Sequence, residues 1–270
     1  MRHFIGGVMI LGLVLIGCGA ALAGTALEEA DALYAAGGLE NYLAAIPLYE
    51  KAVAESGSDY ETLWKCARAH RDYGNKVKQK AEGDWEDLCA KHGKAGMQFA
   101  EQAIALAPEK VEAPYYYGLS VGIYSDGVSI LTALSEGLKN KTQESFEAAY
   151  KIDKTYNRGG PILSLGRFWT VLPWPMNDED KALAYFREFQ SAGFLDGSDE
   201  GKVYMAELLM DIGGKDNETE ARTLLQAAAQ SPETYLSDWA KRLLKDLDEP
   251  LSITLRIHRL LLTLTEGKGR

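Results

Sequence analysis

The stretch Lys94-Ala95-Gly96-Met97-Gln98-Phe99-Ala100-Glu101-Gln102-Ala103-Ile104-Ala105-Leu106-Ala107-Pro108 decides the fold. Small side chains recur at Gly96, Ala100 and Ala103, with apolar ones at Met97, Ile104 and Leu106, and Pro108 closes the run. Spacings of three and four place the small residues on one face of an α-helix, where a neighbouring helix can approach closely. Four other stretches share the arrangement: Ala45-Ile46 with Tyr49 and Ala52-Val53; Phe146 and Ala149 before Ile152-Asp153; Ala182-Leu183 with Phe186; and Ala221 with Leu225 and Ala228. The equivalent positions 49, 100, 146, 186 and 225 lie 51, 46, 40 and 39 residues apart.

Working outward, four first-helix patterns accompany these stretches, for the second to the fifth repeats. Leu63, Cys66, Ala67, Ala69, His70 and Gly74 form one, Tyr115, Gly118 and Leu119 another, then Leu165, Gly166, Phe168 and Trp169, and last Val203, Ala206, Leu209 and Met210. Apolar residues recur at three and four rather than two, so helices are predicted throughout and no strand. A small residue four before an aromatic, with another small residue three later, resembles the second helix of a tetratricopeptide repeat. The predicted fold is all-α, a tetratricopeptide-like helical-hairpin solenoid of about five degenerate repeats over residues 25–250. The excess over a 34-residue unit is placed in long helices and loops. A capping helix from Ser237 to Leu247, with Ser237 as its N-cap, closes the stack.

The N-terminus reads as an export leader. Arg2 and His3 precede an apolar run from Phe4 to Ile16, which is shorter than the roughly 20 residues a membrane-spanning helix needs. Leu15-Ile16-Gly17-Cys18 resembles a bacterial lipobox, so residues 1–17 are predicted to be removed and Cys18 to carry the lipid. Ala21-Leu22-Ala23 offers the alternative, cleavage after residue 23 by ordinary signal peptidase, which would leave a soluble periplasmic protein. The expected location is therefore the bacterial cell envelope, facing the periplasm.

Removing residues 1–17 takes away one charged side chain, Arg2, and leaves 28 basic against 39 acidic residues, a net of −11. That charge excludes nucleic acid as a partner class. Cys66 and Cys89 are a candidate disulfide if they face one another on antiparallel helices, where closing the loop would add about 3 kcal/mol. The alternative is two small buried apolar side chains. No Cys-x-x-Cys or His/Cys spacing indicates a metal, and no cofactor motif is present.

Gly118-Leu119-Ser120-Val121-Gly122 fits the G-x-S-x-G pattern of a hydrolase nucleophile elbow. Its context is helical rather than a strand-to-helix turn, and His258 alone follows it among the histidines, so a serine hydrolase using Ser120 is set aside. His70 reads as a polar-tipped core residue, and Gly159-Gly160-Pro161 as a helix break. Candidate ligand or partner contacts are Tyr115, Tyr116, Arg167, Trp169 and Trp174. Tyr115, Tyr116 and Tyr117 point around successive faces of one helix, so at least one is expected to face a groove. Pro173-Trp174-Pro175 is read either as an anchor for a partner or as a loop folded onto its own core.

The run Gly160-Pro161, Leu165-Gly166-Arg167-Phe168-Trp169, Leu172-Pro173, Asp178, Lys181-Ala182 and Phe186 resembles the T-component lipoproteins of tripartite ATP-independent periplasmic transporters. Ala240-Lys241-Arg242-Leu243-Leu244 and Leu247-Asp248-Glu249-Pro250-Leu251 resemble that family's closing helix. The likeness covers residues 110–251 and departs at Gly74 to Lys94 and after residue 251. It implies a non-catalytic, membrane-tethered solenoid that docks a periplasmic solute-binding protein and forms homo-oligomers around ligand-conducting openings, with a small hydrophobic or organic-acid molecule as the expected ligand. A general protein-interaction scaffold for envelope assembly is the other reading. The tail, residues 251–270, carries Ile253, Ile257, Leu260, Leu261 and Leu264 on one helical face, with Arg256 and Arg259 on the other side. It is expected to pack on the last repeat, to fold into the groove, or to dock a subunit or partner.

Overall fold

A computed structural model describes residues 25–56 and 59–249. The leader, Cys18, His258 and the amphipathic tail lie outside the described residues. The described residues form twelve helices: α1 (Ala26–Ala36), α2 (Leu39–Ser56), α3 (Tyr60–Lys80), α4 (Trp85–Leu106), α5 (Glu112–Val128), α6 (Ile130–Ser135), α7 (Leu138–Asp153), α8 (Tyr156–Val171), α9 (Glu179–Ser191), α10 (Asp199–Ile212), α11 (Lys215–Ala228) and α12 (Thr234–Asp248). None is both long enough and apolar enough to cross a membrane.

Five hairpins stack in chain order, α1/α2, α3/α4, α5/α7, α8/α9 and α10/α11, with α12 on the end. The first helices also meet one another, α3 against α5 and α10 against both α8 and α12, so they line the inner face of the superhelix. The excess sequence sits where the long spacing required it. α3 and α4 run for 21 and 22 residues, and the short α6 is an additional element between α5 and α7 that the sequence pattern did not reveal. α6 begins after Ser129, a non-glycine residue at φ +91°.

Capping fixes the helix starts. Thr25 and Glu28 form a reciprocal capping box on α1, and Asp59, Asp178 and Ser198 each accept a backbone N–H three residues on. Ser237 does not cap α12. The helix starts three residues earlier, and the Ser237 hydroxyl donates to the Ala229 carbonyl at 2.9 Å, tying the cap to the end of α11. The break before the fourth repeat lies at Asn157, Arg158 and Gly159, all left-handed, and the helix resumes at Gly160 with Pro161 in its first turn.

α5 is apolar around its whole circumference and is enclosed by α3, α4 and α7. All three tyrosines are accordingly buried, and of the three Tyr115 lines the inner cavity described below. Glycines make the enclosure tight: a Cβ on Gly127 would stand 2.3 Å from the Ala90 backbone nitrogen, and one on Gly93 2.4 Å from that of Tyr124.

Cys66 and Cys89 are both free and buried. Their helices are antiparallel neighbours, but Cys89 lies level with Gly74, to whose carbonyl its thiol donates at 3.5 Å. Cys66 is eight residues back along α3, about 12 Å away, beyond the reach of a disulfide.

Candidate functional site

α3 carries Trp64, Arg68, Arg71 and Asp72 at spacings of four, three and one, which turns all of them toward the inner face. The Arg68 guanidinium sits 3.7 Å over the Tyr34 ring and 4.8 Å from that of Trp64, a cation–π sandwich that substitutes ring faces for water. Trp64 in turn stacks on Tyr116 with ring centroids 6.0 Å apart and planes 8° from parallel. Tyr115 meets Tyr116 and Tyr156 edge-on and accepts a hydrogen bond from Asn157 at 3.3 Å. Burial, the largest influence, pushes the Tyr115 hydroxyl up to about 12 and holds the hydroxyls of Tyr34 and Tyr116 well above their ordinary value. These tyrosines stay neutral donors across the physiological range.

Asp72 is the polar hub. It accepts from Arg71 at 2.8 Å and from the Tyr34 hydroxyl. Burial works against the Arg71 charge, but Asp72 beside it and Glu200 beyond more than compensate, so the guanidinium is held cationic. Both Arg68 and Arg71 bury an Nε that has no hydrogen-bond partner among the described residues. Across the inner face Arg167 pairs with Glu207 and lies 4.5 Å from the Tyr204 ring and 5.6 Å from that of Trp239, while Tyr204 donates to Glu200 at 2.8 Å. One contact joins the two ends of the superhelix: Lys76 of α3 lies 4.0 Å from Glu233, at the start of α12.

Between these groups lies a cavity of about 1100 Å³, bounded by α3, the start of α4, α5, α6, α7, α8 and α10. Arg71, Tyr115, Asn157, Arg167, Glu200 and Tyr204 supply its polar lining; Leu119, Leu134, Leu163, Phe168 and Leu172 supply an apolar wall. Its size and mixed lining suit a recognition site that accepts an apolar side presented with a few polar anchors.

Two of the five sequence candidates, Tyr115 and Arg167, line this cavity. Tyr116 stands behind them in the Trp64 stack. Trp169 is elsewhere, buried in the core between α8 and α9 with Lys181 4.3 Å from its ring. Trp174 is 82 % exposed on the α8–α9 loop, so that loop does not fold its tryptophan onto the core. Ser120 is fully buried in the middle of α5, packed against Gly96 and outside the cavity lining, which gives the G-x-S-x-G pattern a packing role in a helix. Sequence reasoning missed Trp64, Arg68, Arg71, Asp72 and Tyr204. The signal present was a tryptophan and two arginines at helical spacing on a first helix, which is the inner-facing one.

A second polar group lies in the core. His70 and His92 face one another with their Nδ1 atoms 3.0 Å apart, beside Tyr73 and Phe99, and Glu50 lies 3.3 Å from His70 Nε2. The two rings share one hydrogen bond through their Nδ1 atoms, and His70 Nε2 is buried without a hydrogen-bond partner among the described residues. Among the described residues no three His, Cys, Asp or Glu side chains are arranged to hold a metal.

A family model described as regulator of microtubule dynamics protein 1-3 matches residues 26–168. That span contains Trp64, Arg68, Arg71, Tyr115 and Arg167 but stops before Glu200, Tyr204 and Trp239. The crystal structure of a thermophilic TPR protein from Thermus thermophilus aligns with a TM-score of 0.56 and 18 % identity, covering 81 % of this chain and 97 % of that one. At that identity the likeness shows the fold alone, and the fold is tetratricopeptide-like. No curated protein matches the chain. The family matched differs from the T-component lipoproteins that the motifs of residues 110–251 resemble.

Proposed function

The chain belongs to the family of regulator of microtubule dynamics proteins 1-3, and from that premise we propose that it is a non-catalytic scaffold that holds a protein partner on the inner face of its superhelix. The cavity of about 1100 Å³ carries this reading, because it joins an apolar wall to an anchored set of arginines and tyrosines. Such a surface suits a helix presenting apolar residues on one side and polar ones at its edge. The buried aromatic and arginine groups around Trp64 and Tyr204 are of the types that dominate binding energy at interfaces.

The test is capture of the partner from the native source with three forms of the protein. A Cβ on Gly122, in the cavity lining, meets no atom within 4 Å, so Gly122→Phe places a ring in the cavity at a position with room for it. The parent and Trp174→Ala should retain the same partner while Gly122→Phe loses it. Retention by Gly122→Phe, or loss with Trp174→Ala alone, would contradict the reading. The family's name makes microtubules, or a protein bound to them, the first partner class to test. Co-sedimentation of the parent but not of Gly122→Phe would support it.

A second reading is favoured by Leu165-Gly166-Arg167-Phe168-Trp169 and by Cys18 in its four-residue context. In it the protein is a lipid-anchored envelope component that docks a periplasmic solute-binding protein. Intact mass of membrane-extracted protein separates the two, since an acylated chain starting at Cys18 favours the envelope reading and a chain starting at Gly24 removes the anchor.

A further inference from the structure

We propose that the protein's own C-terminal segment, residues 251–270, docks in the inner cavity and covers it when no partner is bound. The inference rests on the cavity being the binding surface and gives that surface a resident competitor. Complementarity of shape and polarity is the first argument. Ile253, Ile257, Leu260, Leu261 and Leu264 recur at helical spacing and give one apolar face, with Arg256 and Arg259 at its side. The cavity offers an apolar wall from α5, α6 and α8, and the carboxylates of Glu86 and Glu200.

Charge is the second. The segment contains Arg256, Arg259, Lys268 and Arg270 against Glu266, a net of +3, whereas the whole chain is −10, so the remainder carries −13. A cationic segment is therefore drawn to the body it is attached to. Carboxylates hold three of the four cations that line the cavity: Asp126 holds Lys78 at 2.7 Å, Asp72 holds Arg71 at 2.8 Å, and Glu207 holds Arg167. The fourth, Lys139, donates to the Gln143 amide oxygen, so Glu86 and Glu200 set against it leave the lining without a net positive charge.

Reach is the third. Trp239 of α12 touches Arg167 and Tyr204, which line the cavity. From Trp239 the helix runs only about 14 Å to its end at Asp248. Residues 250–252 can span up to about 10 Å, and the stripe itself is about 18 Å long as a helix. The chain can thus turn back beside α12 and lay the stripe against the wall.

Hydrogen exchange on the full-length protein tests the proposal. In the parent, amides of residues 253–264 should exchange at least about tenfold more slowly than in a free peptide, independently of protein concentration. Gly122→Phe should abolish that protection while leaving the melting temperature unchanged or raised. Leu260→Asp with Leu261→Asp, which leaves every helix of the solenoid intact, should also abolish it and speed exchange in α8. Peptide-like exchange in the parent overturns the proposal, as does protection that grows with concentration, which would indicate a second copy. Protection that survives Gly122→Phe overturns it too, and so does a native mass spectrum with a small apolar molecule bound while the tail exchanges freely. Failure to capture a partner leaves these rates untouched, so the two readings fail separately.

Discussion

His70 and His92 are two imidazoles that share one hydrogen bond in the core. Burial, followed by the neighbouring charges, lowers His70 to about 3 and His92 to about 4. In the unfolded chain both take up protons near pH 6.5. Below that pH the unfolded state binds more protons than the folded one, so stability is complete above about pH 6.5 and declines as the pH falls toward 4. The melting temperature should fall over that interval, and His70→Phe with His92→Leu should flatten the fall. Equal slopes for the two proteins would rule out the pair as its cause. The cysteines behave differently. Burial raises the Cys66 thiol well above its ordinary value and pushes Cys89 up to about 11, so neither presents a thiolate. A disulfide-exchange reagent should label neither in the native protein and both after denaturation, with no Cys66–Cys89 bridge after mild oxidation.

At the scale of the element, α5 brings together what sequence could and could not disclose. Its existence was legible from Tyr115, Gly118 and Leu119 at helical spacing, as were the five second helices from their small–aromatic–small pattern. The extent of its burial was not legible, because periodicity reports one face and α3, α4 and α7 pack against α5 on every side but the one that lines the cavity. α6 was equally hidden, since six residues after a strained serine leave no periodic signal. At the site, Tyr115 and Arg167 were found from their residue types, whereas Trp64, Arg68 and Arg71 were missed because buried arginines read as solvated surface until their ring partners are known. Two glycines of α5 make the packing testable. Gly127→Ala forces a methyl group into the Ala90 backbone and should cost about 1–3 kcal/mol. Gly122→Ala enters open space and should stabilise by roughly 0.5–1 kcal/mol. Denaturant midpoints that move in the same direction would contradict that contrast between a closed and an open face.

For the whole molecule, the inner face works as a connector between successive repeats. Arg167 of α8 joins Glu207 and Tyr204 of α10 to Trp239 of α12, so Arg167→Ala should leave Glu207 half-buried without its partner and cost about 1–3 kcal/mol. Exchange should quicken in α12 before the rest. The Lys76–Glu233 pair, which links α3 to α12, is more exposed and adds little. Such a shape binds by enclosing something. The most direct test of that claim is the hydrogen-exchange footprint of the protein with its captured partner. The account predicts slowed exchange in the inner helices α3, α5, α8 and α10, on the segments carrying Arg71, Gly122, Leu163 and Tyr204. Slowing confined to the outer helices α2, α4, α9 and α11, or to the Trp174 loop, would contradict it.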